Sequence, residues 1–355
     1  MAKTEQAQLD PTAERLKSDL ENYLTTRLGG HTTIDQMRPL TGGACQDNYL
    51  VDVQVDGGQQ GGRYALVFRS DKGGSLLGSL SRPEEYLVAE AAYEAGVKTP
   101  RPMWLEADSD YIGRPFYFME RIDGRATARY VVRDRELNAY RKQLPEDLAR
   151  NLALIHSVKP ADVSSDLIES LGKVPGAGGK DLALAAVALI REYLLGLGEP
   201  HPALELAANW LEGHAPATDE VVLVHGDFRT GNFMISPDGL HGIVDWEFAH
   251  WGDRHEDISW LCMRDWRFGK IQKEVGGFGD RESFYAAYEK ASGAKVDPTA
   301  VRYWEIVGNV RWAVGSVQQA DRHLSGKDRG IELAAIGRRT CEMEYEIMRL
   351  IEHAG

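Results

Sequence analysis

The segment VLVHGDFRTGNFMISPDGLHGIVDWE, residues 222–247, constrains this chain most, because it sets two aspartates and an asparagine among apolar runs that read as packed β-structure. A carboxylate withdrawn from water is costly unless something pairs with it. Asp227, Asn232 and Asp245 are therefore either satisfied within the fold or brought to a cation. Val221–Val224 reads as a β-branched strand, which His225-Gly226-Asp227 leaves. Phe228–Gly231 is a short loop, and Asn232 opens a second strand, Phe233–Ile235. Pro237-Asp238-Gly239 is a turn, and Gly242–Asp245 is a third strand. The order holds Asp227 and Asn232 five residues apart, and the hairpin returns Asp245 beside them.

Oxygens from Asn232 and Asp245 suit a hard cation such as Mg²⁺. Asp227 is then left to orient a hydroxyl and take its proton. Phosphoryl transfer needs those roles, because the protein must align a nucleophile and neutralise phosphate charge rather than do covalent work. The spacing His225-Gly226-Asp227-x-x-x-x-Asn232 is that of the protein-kinase catalytic loop, and Asp245-Trp246-Glu247 stands in the place of its metal-binding Asp-Phe-Gly. Gly for Arg after the histidine, and Trp-Glu for Phe-Gly, resemble the aminoglycoside phosphotransferase family of kinase-like small-molecule kinases. The Asp-Trp-Glu and Gly-Asp segments are also similar to the kinase-like domains of acyl-CoA dehydrogenase fusion proteins.

The resemblance runs from about Leu40 to the last helices. It implies an α+β, protein-kinase-like two-lobe fold with a small antiparallel β N-lobe and a larger, mainly helical C-lobe. The expected division is 1–120, a nucleotide-binding lobe with a leading helix, and 121–355, a catalytic and substrate-binding lobe. The chain's own pattern runs parallel to this. Asp10–Leu28 reads as a helix with Leu16, Leu20 and Leu24 on one face, ended by Gly29-Gly30. Strands with loops follow over Ile34–Phe68, then a helix over Pro83–Ala95 and a strand from Tyr117 into a turn at Gly124. From Arg133 onward helices dominate, apart from the opening segment. A β lobe followed by an α lobe suggests a cleft between them.

By the same resemblance, ATP and Mg²⁺ are the expected ligands, with Asp227 as base and Asn232 and Asp245 on the metal. Gly42 and Gly43, in Thr41–Asn48, fall where the family's phosphate-covering loop lies, although the stretch lacks GxGxxG and also reads as an ordinary hairpin turn. Arg69 ends its strand where kinases carry a phosphate-binding Lys; Lys72 is its rival. Glu85 matches the helix glutamate that pairs with that cation, with Glu84 and Glu90 as alternatives. Adenine is expected on the backbone near Glu120 and Ile122. His156 is expected to be structural, and Asp257 to cap its helix and bond the catalytic-loop backbone. Pro175-Gly-Ala-Gly-Gly-Lys180 only mimics a P-loop, since Asp181 rather than Ser or Thr follows the lysine.

The formal net charge of −13 argues against nucleic acid and anionic membrane surfaces as partners. Cys45, Cys262 and Cys341 are odd in number and far apart, which favours a reducing compartment. The polar N-terminus has no signal-peptide core, and no apolar run reaches the ~18 residues of a membrane span. A cytoplasmic enzyme acting on ATP and a small hydroxylated substrate is the expectation. Aminoglycosides are polycations, and the helices offer no acidic carpet: Glu305 stands against Arg302 and Arg311. An apolar or anionic hydroxylated metabolite, such as a hydroxyacyl-CoA, is the better match. Two rivals remain. A non-catalytic pseudokinase finds support in Arg69, and a metal-dependent hydrolase would use the His/Asp-rich region 225–257.

Overall fold

The structure, a computed structural model, describes residues 11–40, 46–71, 78–172, 174, 179–327 and 330–354. The chain divides into two compact units, Met1–Glu94 with Thr99–Ile122, and Ala95–Lys98 with Asp123–Gly355.

The first unit opens with helix α1 (Pro11–Leu28) and strands β1 (His31–Pro39), β2 (Gln46–Asp56) and β3 (Gly62–Asp71). Helix α2 (Arg82–Glu94) and strands β4 (Pro102–Glu106) and β5 (Phe116–Glu120) complete it. The sheet runs β1-β2-β3-β5-β4, and each neighbouring pair is antiparallel. Gly29, at φ 69°, ends α1 in the left-handed conformation that glycine adopts without strain. Leu20, Leu24 and Leu28 of α1 pack onto Val51, Val53, Leu66 and Phe68 of the sheet. Successive strand residues face opposite ways, so Leu66 and Phe68 meet α1 while Val67 and Arg69 face the other side. Leu66 to Ser70 are nevertheless all buried, because that other side is also covered and Arg69 there meets Glu85 of α2. A strand covered on both faces loses its polar alternation.

The second unit is mainly helical. Its first helices are α3 (Ala128–Arg133), α4 (Leu144–Ile155), α5 (Ser165–Ser170), α6 (Asp181–Gly196) and α7 (Pro202–Gly213). The helical stretch expected from Arg133 is broken: α3 stops at Arg133, Asp134 is extended, and α4 begins with Pro145 in its first turn. Proline fits there because it lacks the N–H that the helix interior needs. Strands β6 (Val222–Val224), β7 (Phe233–Ser236), β8 (Gly239–Ile243) and β9 (His250–Gly252) follow. The pairs are β7 with β8 and β6 with β9, both antiparallel. Helices α8 (His255–Cys262), α9 (Arg281–Ser292), α10 (Pro298–Leu324), α11 (Ile331–Gly337) and α12 (Thr340–Glu352) close the chain. The buried face of α10, including Tyr303, Trp304, Val307 and Val310, packs with α6, α7 and α12. Gly308 lets α10 lie against α8: a Cβ there would come 2.8 Å from Met263 Sδ and 3.1 Å from the Trp260 ring. That close approach seats Trp260.

Candidate active site

The loop after β6 is fixed from below by a buried carboxylate. Asp257, in the first turn of α8, accepts the backbone N–H of His225 at 2.7 Å and of Gly226 at 2.9 Å. Its Oδ2 also meets His156 Nε2 at 3.2 Å, and His156 Nδ1 lies 2.8 Å from the Tyr288 hydroxyl. Burial alone would raise the Asp257 carboxyl; the hydrogen bond and charge of His156, with the backbone N–H of His225, outweigh it and hold the group below the usual carboxylate range. His156 thus serves structure. Asp257 bonds the loop backbone as expected, but it does not cap α8. The helix begins two residues before Asp257, and Asp253 accepts its first N–H, that of His255, at 2.8 Å.

The glycine after His225 has a steric reason. Gly226 has φ 77°, and a Cβ on it would lie 2.1 Å from the Phe248 carbonyl oxygen. No side chain fits, so the arginine of the protein-kinase loop is impossible in this backbone. His225 Nδ1 accepts the Asp227 N–H at 3.2 Å, which leaves the ring proton on Nε2. The ring packs 4.5 Å from Trp246, and burial pulls its pKa down against the nearby charge of Asp257, so it stays neutral.

Asp227 is 7% exposed and held by three side chains. Arg229 Nε and Trp260 Nε1 each donate to Oδ1 at 2.8 Å. Asn232 Nδ2 donates to Oδ2 at 2.7 Å and to the Asp227 carbonyl at 2.9 Å. With its nitrogen so committed, the Asn232 amide turns Oδ1 the other way, and no hydrogen-bond donor meets that oxygen among the described residues. The Val244 N–H donates to the Asn232 carbonyl at 3.0 Å, which draws the end of the hairpin to the loop and brings Asp245 next in chain. The expected third strand ends earlier, at Ile243, and Asp245 lies beyond it at φ 75°. A non-glycine residue there is strained, and such strain persists where surrounding structure enforces it.

This donor set fits Mg²⁺: one amide oxygen and one carboxylate, both hard, with remaining positions for water and phosphate. The histidines and other acids of the region are spent in separate pairs. His250 meets Glu256 at 3.0 Å, His255 meets Asp253 at 2.6 Å, and His241 meets Ser236 at 2.7 Å. Among the described residues no group of three or more His, Cys, Asp or Glu is placed to hold a metal ion. The geometry thus gives the hydrolase reading no metal cluster in 225–257.

In the first unit, Arg69 Nε donates to Glu85 Oε2 at 3.2 Å and its Nη2 to Oε1 at 2.5 Å, a two-bond fork between groups 6% and 1% exposed. Arg82 also pairs with Glu85, and with Asp71 at 3.0 Å. Glu84 caps its own helix by accepting the Ser81 N–H at 2.7 Å, and Glu90 accepts the Tyr86 hydroxyl at 3.1 Å, so neither alternative meets Arg69. Glu120 ends β5 with its N–H on the Arg101 carbonyl at 2.9 Å, and the Arg121 N–H reaches the Ala65 carbonyl at 3.0 Å. Ile122 follows as the last residue of this unit. Gly42, Gly43, Cys45 and Lys72, with most of the 175–180 stretch, lie outside the described residues.

Three features escaped the sequence reading. Arg229 and Trp260 grip Asp227, and Trp266 supports Arg229, whose guanidinium stacks on its ring at 4.5 Å. Only the position of Arg229, two residues after the aspartate, offered a signal. Glu305 is the third. It does not face Arg302 and Arg311; it is buried against Arg281 at 2.7 Å and Arg267 at 3.7 Å, because its place on α10 points inward. Arg311 instead lies 5.8 Å over the Trp260 ring.

The sequence profile of the family described as "Phosphotransferase enzyme family" matches residues 36–304. The mouse protein "Acyl-CoA dehydrogenase family member 10" is 30% identical over 251 residues, which is 69% of this chain but 22% of that protein. The chain thus spans under a quarter of that relative. A Ralstonia eutropha protein assigned to the aminoglycoside phosphotransferases shares the fold at a TM-score of 0.71 and 22% identity, covering 95% of this chain and 97% of its own. A ternary complex of aminoglycoside phosphotransferase APH(4)-Ia with ADP and hygromycin B aligns at a TM-score of 0.55 and 15% identity, over 92% and 98% of the two chains. These likenesses establish a kinase-like fold, with an antiparallel sheet unit and a mainly helical unit.

Proposed function

Because this chain belongs to the phosphotransferase enzyme family, we propose that it is an ATP-dependent kinase that moves the γ-phosphoryl group to a hydroxyl of a small molecule. The observation that carries the reading is the Asp227–Asn232 pair. One amide group holds the carboxylate through its nitrogen and keeps its oxygen for a cation. Asp227 then orients the acceptor hydroxyl and takes its proton as the phosphoryl group departs from ADP. Asn232 and Asp245 hold Mg²⁺, which when bound neutralises phosphate charge. In the first unit, Arg69 binds phosphate with Glu85 as its counter-ion, and the backbone at Glu120 and Ile122 receives the adenine. Gly42 and Gly43 belong to the loop assigned to the phosphates. On this reading 1–120 binds nucleotide, and 121–355 carries the catalytic residues and the acceptor.

The acceptor is not a polycation. Besides Asn232, the groups that contact Asp227 or its neighbours include Arg229, Arg311 and the indoles of Trp260 and Trp266. The nearby carboxylate, Asp265, is taken by Arg339 and by Trp312 Nε1 at 2.7 Å. An apolar or anionic hydroxylated metabolite suits such walls, and the acyl-CoA dehydrogenase name of the mouse relative makes a hydroxyacyl thioester the first candidate to assay.

Titrating ATP with and without Mg²⁺ tests the assignment. Asp245→Ala should abolish metal-dependent ATP binding, and Asn232→Ala should raise the Mg²⁺ requirement. Metal-independent binding by the unaltered protein would favour a pseudokinase.

A further inference from the structure

Arg129, Arg133 and Arg135 stand within seven residues in a chain of formal net charge −13. All three are exposed, and with Asp134 and Phe268 they line a cavity of about 830 Å³. Neighbouring arginines are spent: Arg125 pairs with Glu136 at 3.0 Å, and Arg141 donates to the Val131 carbonyl at 2.8 Å. Arg129 and Arg135 have no ion pair among the described residues. Arg133 gives one nitrogen to the Phe268 carbonyl at 2.9 Å and keeps the rest of its fork. The only carboxylate among the described lining residues, Asp134, accepts the Glu136 N–H at 3.1 Å. Three cations against one anion repel each other, and a bound anion offsets that cost. Guanidinium forks match phosphate oxygens in a bidentate way, and three forks offer places for more than one phosphate.

The cavity is joined to the catalytic loop by contiguous contacts. Phe268 closes the short 3-10 turn Arg264–Arg267, and that turn carries Trp266, on which Arg229 stacks. Arg229 in turn holds Asp227. A second cavity of about 560 Å³ shares Phe268, and its wall sets Ile271, Met343 and Tyr345 beside the charged Arg264, Arg339 and Glu342. The arginines therefore lie at the end of the contact chain that leads from Asp227 through Arg229, Trp266 and Phe268.

We propose that Arg129, Arg133 and Arg135 bind a multiply phosphorylated group at the distal end of the acceptor. The word acceptor rests on the phosphotransferase reading; the anion site does not. Equilibrium binding of adenosine 3′,5′-bisphosphate and of inorganic tripolyphosphate to the full chain tests it. Asp245→Ala serves as the background in which the proposed nucleotide site is disabled. The unaltered protein and Asp245→Ala should bind the bisphosphate equally well, whereas the triple change R129A/R133A/R135A should weaken it by at least about tenfold. Each single exposed change should cost less, with a melting temperature unchanged. Preference for the bisphosphate identifies a nucleotide-bearing carrier as the source, and preference for tripolyphosphate identifies free polyphosphate. Equal binding by the triple variant and the unaltered protein overturns the proposal, as does loss of binding in Asp245→Ala alone. Bisphosphate binding without any Mg²⁺-ATP binding would keep the anion site and remove the phosphotransferase reading.

Discussion

Trp260 and Asp227, 33 residues apart in sequence, are joined by a 2.8 Å hydrogen bond from the indole Nε1 to Oδ1. With Arg229 Nε on the same oxygen, the bond fixes the orientation of the carboxylate. Trp260→Phe keeps the ring and removes the donor. The kcat should then fall roughly tenfold. An unchanged kcat would show that the indole does not position Asp227.

Arg69 and Glu85 form a buried fork that Arg82 shares. Arg69→Ala should raise the KM for ATP and lower kcat, and Arg69→Lys should restore only part, since a point charge does not copy the fork. Glu85→Gln removes the carboxylate that two buried cations share and should cost about 3–5 kcal/mol of stability, measured by denaturant titration. Full activity in Arg69→Ala would move the phosphate contact elsewhere.

Gly226→Ala sets a Cβ 2.1 Å from the Phe248 carbonyl at a φ of 77°. Backbone must shift, so activity should be lost and the melting temperature should drop by several degrees. A variant with normal activity and melting would contradict the loop conformation described.

The acid stability of the fold should depend on Asp257 and Asp253, both buried and both held below the ordinary carboxylate value of 3.8. For Asp253, burial raises the carboxyl, and hydrogen bonds from His255 and Thr218 outweigh it. A carboxylate depressed in the folded state contributes stability above its unfolded value and loses it as pH falls through the folded one. Melting temperature should therefore decline steeply below about pH 4. Asp257→Asn should lower stability at neutral pH and flatten that decline. A variant with an equally steep decline would assign the acid limb to other groups.

Much of this site was legible because its chemistry is local. Asp227, Asn232 and Asp245 lie within one short segment whose strand–loop–hairpin pattern fixes their neighbourhood. The fork of Arg69 and Glu85 was reachable from the place of one residue at a strand end and the other in a following helix. What stayed hidden depends on contacts distant in sequence. The side chain of Trp260 reads as core aromatic until Gly308 brings α10 against α8. Strand β9 has three residues, too few for a period to show, and it exists through its pairing with β6. Glu305 reads as a surface acid beside Arg302 and Arg311 because sequence proximity cannot report which way α10 turns. Asp253 and Asp257 lie four residues apart about one helix start, and only where that start falls decides which of them meets its first N–H.

The central claim, phosphoryl transfer with Asp227 as base, is tested most directly by following label from γ-labelled ATP into a panel of hydroxylated small molecules, including hydroxyacyl thioesters. The unaltered protein should give a labelled acid-stable product only with Mg²⁺ present. Asp227→Asn should reduce its formation by at least ~100-fold while binding Mg²⁺-ATP as tightly. Product formed at the normal rate by Asp227→Asn, or no transfer to any acceptor by a protein that binds ATP without Mg²⁺, would contradict the account.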